Sequence, residues 1–372
     1  MTSASIVNSQ ITLNSAEGGS GVSVSSNLNH SVSISQSDIS NNEIIDGVRG
    51  GAGILSASSV LVIDNSTITN NRVVSGRGNG AGIAAQSGGS LTITNSTISS
   101  NNISDQSDTM FNSGGGIHTN LIDLLSVTNT TIANNTHTHG GGLGIRAGDG
   151  QIVELINNTV SENSANINGG GLRVTLESTA NFTSVNNTVS GNNAGSEGGG
   201  LHMSPRGSSA VNLRSNTITD NSSDTPFTIG GLYISNSDSE TIFNVVNTII
   251  ANSPMDRNND CELSRFSDGI MTIDSASIIE DGTCDASRSD DPGLLPLADN
   301  GGPTLTHALS ESSIALSTGA SCEPNDQRGV ARTDVCDVGA YESELQSIFP
   351  PRSNDGFLVI PLANGKTVVV PN

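Results

Sequence analysis

The sequence contains few large side chains. It has no Trp, two Tyr and seven Phe among 372 residues, and aromatic residues make up only 2% of the chain. Hydrophobic residues make up 33%, which is too few for a wide globular core. Any core must therefore be narrow and aliphatic.

Positive charge is also scarce. Lys366 is the only lysine, and the net charge at pH 7 is −22. Phosphate neutralisation depends on Lys and Arg, so this composition argues against nucleic acid and anionic membranes as partners. No apolar run is long enough for a transmembrane helix, and no signal peptide follows Met1. We expect that the natural start lies upstream or that the chain is truncated.

What the sequence has in abundance is a repeat of about 30 residues that is rich in Gly, Asn, Ser and Thr. A typical unit reads Asn65-Ser-Thr-Ile-Thr-Asn-Asn71, then a variable loop, then Gly80-Ala-Gly-Ile83. Short β-branched stretches fit three strands per unit, and units of this size must stack to bury their apolar side. The sequence therefore predicts an all-β fold, a right-handed parallel β-helix over residues 1–255. Eight copies align on the aliphatic residues Ile39, Ile68, Ile98, Ile132, Val160, Val189, Ile218 and Ile249.

An asparagine lies three residues after each of these aliphatic residues. Asn tolerates the left-handed conformation of a tight corner, and its amide both donates and accepts hydrogen bonds. Stacked copies therefore predict an asparagine ladder along the rod. Glycine triplets such as Gly140-Gly-Gly142 predict corners with positive φ or close backbone approach. The ladder positions are Asn42, Asn71, Asn101, Asn135, Asn163, Asn192, Asn221 and Asn252.

The last third of the chain differs from the repeat and holds all four cysteines: Cys261, Cys284, Cys322 and Cys336. No Cys-x-x-Cys spacing occurs, so disulfides in an oxidising compartment are favoured over zinc. Nearest-neighbour pairing is one of three connectivities that stay open. We predict that residues 256–342 form a C-terminal cap that closes the open end of the solenoid. We predict that residues 343–372 form a tail with a β-hairpin around Asn364-Gly365.

Two family resemblances follow from these motifs. The repeats resemble the Gly-Gly-Ala-Ile/Leu/Val units of polymorphic outer-membrane protein repeats, without their phenylalanine. The C-terminal part resembles the signature of the choice-of-anchor Q domain family, although the usual Ser-Pro-Ala-Ile-Asp is replaced by Ser313-Ile-Ala-Leu-Ser317. Members of that family are bacterial secreted or surface β-helical proteins, so the resemblance implies an extracellular or cell-surface location more than a reaction. The matching blocks are Asp291-Pro-Gly-Leu-Leu-Pro-Leu-Ala-Asp-Asn-Gly-Gly-Pro-Thr-Leu-Thr-His-Ala-Leu309, Asp326-Gln-Arg-Gly-Val-Ala-Arg332 and Cys336-Asp-Val-Gly-Ala-Tyr-Glu342.

The outward face of the strands after the glycine corners is the best candidate for a ligand site. Side chains alternate along a strand, so the residues next to the inward aliphatic ones point outward. They could bind an acidic polysaccharide through charge and stacking, with ordinary solvated surface as the alternative. Because this column holds no Asp or Glu, and glycoside hydrolysis needs two carboxyl groups, we assign no catalytic residue. The candidate ligand-binding residues are His118, Arg146, Arg173, His202 and Tyr233.

Two sets of residues have the chemistry of metal ligands. His137 and His139 supply two ligands without a third nearby, and solvated loop residues are the alternative. Acidic residues of the cap are suited to calcium but lack the Asp-x-Asp-x-Asp-Gly order. We therefore assign no metal site and expect no cofactor, with calcium left open, and we interpret His307 and Arg328 as structural residues of the cap. The acidic residues are Asp256, Asp260, Glu262, Glu280, Asp281, Asp285, Asp290 and Asp291.

Taken together, the repeat, the ladder and the family signature favour a non-enzymatic extracellular or cell-surface scaffold. We expect a monomer that acts as an adhesin or matrix element and binds a polysaccharide or a host or cell-surface partner. The alternative is a polysaccharide-active lyase, epimerase or hydrolase that uses the outward face of the post-glycine strands. A pair of acids brought into that face by a loop would favour the enzyme, whereas a face without carboxylates favours the scaffold.

Overall fold

A computed structural model of the chain describes residues 3–17, 19–25, 30–46, 50–75, 79–104, 114–225, 228–235, 240–254, 258–264 and 269–343, together with the backbone of strands Phe357–Pro361 and Thr367–Pro371. Within these residues the chain coils into a parallel β-helix, and each turn stacks in register on the one before it. The predicted all-β solenoid is confirmed.

The large sheet of the coil has two arms that share the long strands Ile54–Asp64 and Ile83–Thr94. The first arm follows the glycine corners, and its other strands are Val22–Ser25, Ile117–Asn120, Leu143–Ala147, Leu172–Leu176, Leu201–Pro205, Thr228–Ser235 and Asn258–Ser264. The second arm adds Ser3–Val7, Ser31–Ser35, Leu124–Thr128, Ile152–Ile156, Asn181–Val185, Ala210–Arg214, Ile242–Val246 and Ile270–Ile273.

Two smaller parallel sheets complete each turn. The short-strand sheet contains Gln10–Thr12, Asp38–Ser40, Thr67–Thr69, Thr97–Ser99, Thr131–Ala133, Thr159–Ser161, Thr188–Ser190, Thr217–Thr219, Ile249–Ala251 and Ile278–Ile279. The corner sheet contains Ser15–Ala16, Glu43–Ile44, Arg72–Val73, Asn102–Ile103, Thr136–His139, Ser164–Asn168, Asn193–Ala194 and Ser222–Ser223. A turn therefore has up to four strands where the sequence predicted three, because the corner itself forms a short strand.

The core is one narrow column of aliphatic side chains, as the composition predicts. Inward-facing residues from both arms of the large sheet and from the short-strand sheet meet there, for example Leu91, Ile98 and Ile117, each fully buried. Apolar burial of this kind contributes roughly 25 cal/mol per Å². Because each turn contacts only the turn before it and the turn after it, stability depends on stacking along the axis.

The asparagine column is buried between the short-strand sheet and the glycine corner. The Oδ1 of Asn101 accepts hydrogen bonds from both the backbone N–H and Nδ2 of Asn71, and its own Nδ2 donates to Ile68 O and to Asn135 Oδ1, all at 3.0 Å. A Cβ on Gly116 would lie 2.9 Å from Asn135 Nδ2, so the ladder closes only against glycine. Equivalent side-chain bonds run from Asn42 to Asn221 and extend to Asn14 in the first turn.

The predicted ladder member Asn252 is wrong by one residue. In the short-strand sheet Ile218 pairs with Ile250 rather than with Ile249. The position that follows Asn221 in the column is therefore Ser253, and Asn252 is exposed. The sequence alignment slipped because two isoleucines stand side by side in this turn.

The left-handed corner residue is the one before each ladder asparagine, not the ladder asparagine itself. Asn70 and Asp220, which precede Asn71 and Asn221, have φ angles of 54° and 57°. Asn252 has a φ of 56° and occupies this same corner position. The ladder amide is thus free to bond along the axis while its neighbour makes the turn.

A second ladder, which the sequence pattern did not reveal, runs along the other end of the short-strand sheet. The side-chain oxygen of each member accepts the backbone N–H of the preceding turn. Thr130 N donates to Asn158 Oδ1 at 2.9 Å, and Asn158 N donates to Asn187 Oδ1 at 2.7 Å. The column mixes residue types and consists of Ser37, Ser66, Ser96, Thr130, Asn158, Asn187, Asn216, Thr248 and Ser277.

The C-terminal residues close the end of the coil and then fold back along its side. One further turn reaches Ile279, beyond the predicted boundary at residue 255. A 3₁₀ turn at Thr283–Asp285 follows, and Cys284 packs against the core. Disulfides join Cys261 to Cys284 and Cys322 to Cys336, which resolves the connectivity that the sequence left open.

Residues 291–343, called the return segment below, lie against the outer face of the short-strand sheet instead of covering the end of the rod. The segment contains the antiparallel strands Leu294–Ala298 and Thr306–Leu309. Its Leu309, Ala315 and Val338 are buried with Ile249 and Ile278 of the coil. In the tail, Phe357–Pro361 and Thr367–Pro371 pair as the predicted hairpin, and Asn364-Gly365 lie outside the described residues.

Candidate functional site

The candidate face is a column on the first arm of the large sheet. Parallel register places one residue of each turn in this column, about 4.8 Å from the next. Four of the five predicted ligand-binding residues belong to it, and Arg146 lies in the neighbouring column, opposite Asn120 and Thr175. In chain order the column is Leu55, Ala84, His118, Gly144, Arg173, His202, Tyr233 and Glu262.

The histidines, Arg173 and Tyr233 of this column are buried, whereas Leu55 and Glu262 are half-buried. The exposed fraction is 4% for His118 and His202, 7% for Arg173 and 8% for Tyr233. The chain entering the glycine corner covers the column, since a Cβ on Gly169 would lie 2.9 Å from the Cβ of Arg173. The expectation of a freely exposed outward face is therefore wrong.

Arg146 is the one predicted residue of the face that meets solvent. Its side chain is 35% exposed, and its Nη2 lies 3.1 Å from Oε2 of Glu177. An ion pair at this exposure contributes at most about 1 kcal/mol. We therefore place Arg146 beside the site and not within it.

Two carboxylates lie in this face, where the sequence predicted none. Glu262 pairs with Tyr233 in the adjacent strand, and the sequence alignment missed it because Cys261 replaces the aliphatic residue that marks each turn. Glu197 comes from the loop before a glycine corner, and its Oε2 lies 3.8 Å from Nε2 of His202. The rings of His202 and Tyr233 are tilted by 35°, with centroids 5.0 Å apart.

His137 and His139 join the same group of side chains. They lie on strand Thr136–His139 and are 1% and 3% exposed, so the expectation of a solvated loop is wrong. His137 Nδ1 accepts a hydrogen bond from the backbone N–H of His139 at 3.0 Å. Burial lowers the pKa of both histidines, with smaller contributions from His118 to His137 and from Arg173 and His202 to His139, so the two histidines lie near that column. We call the whole group the polar cluster: His118, His137, His139, Arg173, Glu197, His202, Tyr233 and Glu262.

Burial keeps His137, His139 and His202 neutral at pH 7. Loss of solvation lowers the pKa of His137 to about 3 and the pKa of His139 to about 4. Burial also lowers the pKa of His202, against the opposing effect of Glu197. The 3.8 Å contact between His202 and Glu197 is therefore a polar contact of a neutral ring and not an ion pair. Burial lowers the pKa of Arg173 to about 10, so Arg173 stays charged.

The pKa values of Glu197 and Glu262 shift in opposite directions. Contact with His202 lowers the pKa of Glu197 below its usual range, and Tyr233 and Arg173 act in the same direction. Burial, with a smaller effect of the Glu197 charge, raises the pKa of Glu262. Paired carboxyls whose pKa values diverge are typical of acid and base partners in catalysis.

We predict that His137 makes the protein sensitive to acid. The unfolded chain binds a proton at His137 below about pH 6.5 while the folded protein does not, so stability falls as the pH decreases from about 6.5 to about 3. His137→Asn keeps an acceptor near the Nδ1 position and removes this titration. In urea denaturation, we expect the variant to lose about 2.5 kcal/mol less than the parent protein between pH 7 and pH 4.5.

Other titrating groups change the stability in the opposite direction as the pH falls, so the variant must be compared with the parent protein. Burial raises the pKa of Glu342 to about 7, which favours the folded state as the pH falls. The matched control is Asn102→Ala, an exposed residue of the corner sheet whose side chain does not titrate, which we expect to follow the parent curve. Parallel curves for His137→Asn and the parent would contradict the prediction.

The acidic residues of the cap are held by backbone groups. Asp260 N donates to Asp281 Oδ2 at 2.9 Å, and Asp281 N donates to Asp260 Oδ2 at 3.2 Å. Among the described residues, no three His, Cys, Asp or Glu side chains are arranged to hold a metal ion. Asp256, part of the predicted acidic set, lies outside the described residues.

The two signature residues that we interpreted as structural hold the return segment in place. The ring nitrogens of His307 lie 2.9 Å from Ser190 Oγ and 2.6 Å from Leu295 O. The guanidinium of Arg328 stacks on Tyr341 at 3.8 Å and pairs with Asp326 at 2.9 Å. Neither residue reaches the polar cluster through these contacts.

Comparison with known proteins agrees with this architecture. The family described as "Right handed beta helix region" matches residues 2–253, about two thirds of the chain. The chain belongs to the right-handed β-helix family. The crystal structure of pectate lyase Pel9A is similar to this β-helix protein, with 12% sequence identity, a TM-score of 0.44, and coverage of 90% of this chain and 86% of that one. We draw no functional conclusion from a similarity at that level.

Two further findings concern this right-handed β-helix protein. None of the curated proteins compared with it is a significant match. In the part of the chain that the structure describes, no helix has the length and hydrophobicity of a membrane-spanning segment.

Proposed function

We propose that the protein is an extracellular β-helix scaffold that binds a polysaccharide at the polar cluster. The observation that carries this proposal is the convergence of four of the six histidines of the chain with Arg173, Tyr233 and two glutamates, where the first arm of the large sheet adjoins strand Thr136–His139 of the corner sheet. Burying such groups costs free energy, and stability alone does not account for them. Buried clusters of titratable groups with shifted pKa values are typical of functional sites.

The chemistry of the cluster suits sugar hydroxyl groups. The half-exposed carboxylates of Glu197 and Glu262 accept hydrogen bonds from hydroxyls, and the buried His202 contacts Glu197 from the inner side of the face. Glu197, Glu262 and the net charge of −22 repel uronic acids. We therefore propose a neutral polysaccharide as the ligand, in place of the acidic one that the sequence suggested.

The setting that we propose is outside the cell. Two disulfides favour an oxidising compartment. The C-terminal signature supports membership of the choice-of-anchor Q domain family, and with it a bacterial cell surface. There the protein would act as a monomeric adhesin or matrix element, and a host or cell-surface partner would carry the polysaccharide.

A polysaccharide array tests the binding proposal. The purified chain should retain at least one neutral polysaccharide, and Tyr233→Phe combined with Glu262→Gln should weaken binding about tenfold or more, because each lost hydrogen bond is worth about 1 kcal/mol. Gln86→Ala, on the same arm of the sheet but outside the polar cluster, is the matched control. An array without any retained polysaccharide would contradict the proposal.

Cleavage of the bound polysaccharide is a second candidate function, and the opposite pKa shifts of Glu197 and Glu262 favour it. In this reaction Glu262 donates its proton to the glycosidic oxygen as the carbon–oxygen bond breaks. Glu197 takes a proton from the water whose oxygen bonds to the sugar carbon, so the net reaction is hydrolysis.

Newly formed reducing ends measure this second function. We expect Glu262→Gln to lower the rate of their release by about 100-fold while the polysaccharide stays bound. Parallel reactions with calcium and with a chelator test the metal that the sequence left open. Retention without released ends in the parent protein would leave the scaffold function and exclude hydrolysis.

A further inference from the structure

The outer face of the short-strand sheet repeats the same pair of side chains in turn after turn. An asparagine with positive φ precedes each strand by two residues, and a threonine opens the strand. Asn65, Asn95, Asn129, Asn157 and Asn186 form the first column, and their φ angles lie between 45° and 56°. Thr67, Thr97, Thr131, Thr159 and Thr188 form the second, and they are directly paired from strand to strand.

On the later turns these two columns hold the return segment. Thr159 Oγ1 donates to Leu305 O at 2.5 Å, and Asn186 Nδ2 donates to Asn325 O at 2.8 Å. Thr304 Oγ1 donates to the backbone oxygen of Asn157 at 3.0 Å. The turns that carry Asn157, Thr159 and Asn186 therefore form hydrogen bonds with carbonyl and hydroxyl groups of another stretch of polypeptide.

Gln327 of the return segment fits the spacing between threonines on adjacent turns. Its Nε2 donates to Thr159 Oγ1 at 3.0 Å, while its Oε1 accepts from Thr188 Oγ1 at 2.7 Å. One carboxamide thus bridges two threonines on adjacent turns, which are about 4.8 Å apart. Both threonines are fully buried by the return segment.

The same columns continue uncovered on the earlier turns. Thr67 is exposed and Thr97 and Thr131 are half-buried, whereas Thr159 and Thr188 have no exposed surface. Beyond Thr67 the face opens into a cleft of about 900 Å³, lined by Gln36, Asp38, Asn65 and their neighbours. The open part is therefore continuous with an interface that already binds polypeptide.

We propose that the open columns, Asn65, Asn95 and Asn129 with Thr67, Thr97 and Thr131, dock a partner polypeptide with the chemistry of the return segment. The partner presents backbone carbonyls to the asparagines and a glutamine or asparagine side chain that bridges two threonines. A protein fits this surface better than a polysaccharide, because no aromatic residue stands in either column to stack on a sugar ring. The docking site lies on a different sheet from the polar cluster, so it is independent of the proposed polysaccharide binding.

A synthetic peptide of residues 299–331, with Cys322 replaced by Ser, is the probe for this proposal. Its binding to the full-length protein is measured by calorimetry. We expect saturable binding, and we expect Thr67→Val/Thr97→Val/Thr131→Val to weaken it at least tenfold by removing three hydroxyls at constant shape. Thr92→Val/Thr183→Val, which removes outward hydroxyls from the large sheet, is the control and should bind as the parent does.

Thermal denaturation establishes that the triple variant is folded, since valine is β-branched and suits a strand. Absence of peptide binding, or equal binding by the parent and the triple variant, would overturn the proposal. So would a triple variant that loses polysaccharide retention instead of peptide binding. Sedimentation of the full-length protein adds a last arm: self-association that the triple variant abolishes would identify a second copy as the occupant and also overturn it.

Discussion

Replacement of Asp326 by Ala is expected to lower the free energy of unfolding by about 4 kcal/mol and to release the return segment. Asp326 is fully buried, and its carboxylate accepts four hydrogen bonds at 2.9 Å, from the backbone N–H groups of Arg328, Val330 and Glu342 and from Nε of Arg328. The Arg328 side chain is only 5% exposed. Without Asp326, a buried guanidinium loses its charge partner, which typically costs about 3–5 kcal/mol.

Urea denaturation and limited proteolysis measure this effect together. We expect cleavage of Asp326→Ala within residues 291–343 under conditions in which the parent protein resists. Asp334→Ala removes an exposed carboxylate from the same part of the chain and should change stability by less than about 0.5 kcal/mol. A loss of under about 1 kcal/mol for Asp326→Ala would show that the segment is held by its apolar contacts instead.

Replacement of Asn101 by Ala is expected to lower the free energy of unfolding by about 3 kcal/mol. The variant loses the four ladder hydrogen bonds of this side chain, and it leaves the backbone N–H of Asn71 and the carbonyl of Ile68 unsatisfied inside the rod. Each buried polar group left without a partner costs about 1–3 kcal/mol. The change from Asn to Ala also leaves a small cavity beside the glycine corner.

The neighbouring asparagine provides the matched control. Asn102 lies on the corner sheet and its side chain is exposed, so Asn102→Ala should change stability by no more than about 0.5 kcal/mol. The difference between the two variants isolates the ladder from the general effect of losing an asparagine. Equal melting temperatures for both variants would show that the ladder is not important for stability.

The fold could be predicted because its determinants are repeated. A single Asn, Gly or aliphatic residue carries little information, but a position that returns about every 30 residues reveals a stacked column. Prediction failed where the column mixed residue types, as in the ladder of Ser66, Thr130 and Asn158, or where two similar residues were adjacent, as at Ile249 and Ile250. Periodicity also ends where the return segment begins, so its position along the side of the rod was not predictable.

The candidate site was predicted in part, for a related reason. The spacing of the repeats is enough to predict that His118, Arg173, His202 and Tyr233 share one column of a sheet. Their burial was not predictable, because it depends on how closely the glycine corners approach the strands. Glu197 was missed because it comes from a loop, and loops of variable length carry no periodic signal.

The return segment also makes the two ends of the rod differ in their resistance to mechanical force. A force that pulls on the C-terminal end must shear off a segment that is fastened across adjacent turns by Thr159, Asn186 and Thr188, so several fastenings are loaded at once. At the opposite end, the return segment covers none of the described residues of the first turns, so a force there loads the bonds between one turn and the next. The rod should therefore unzip turn by turn from its N-terminal end and resist at the other. A tether that transmits load would work best through the clasped end.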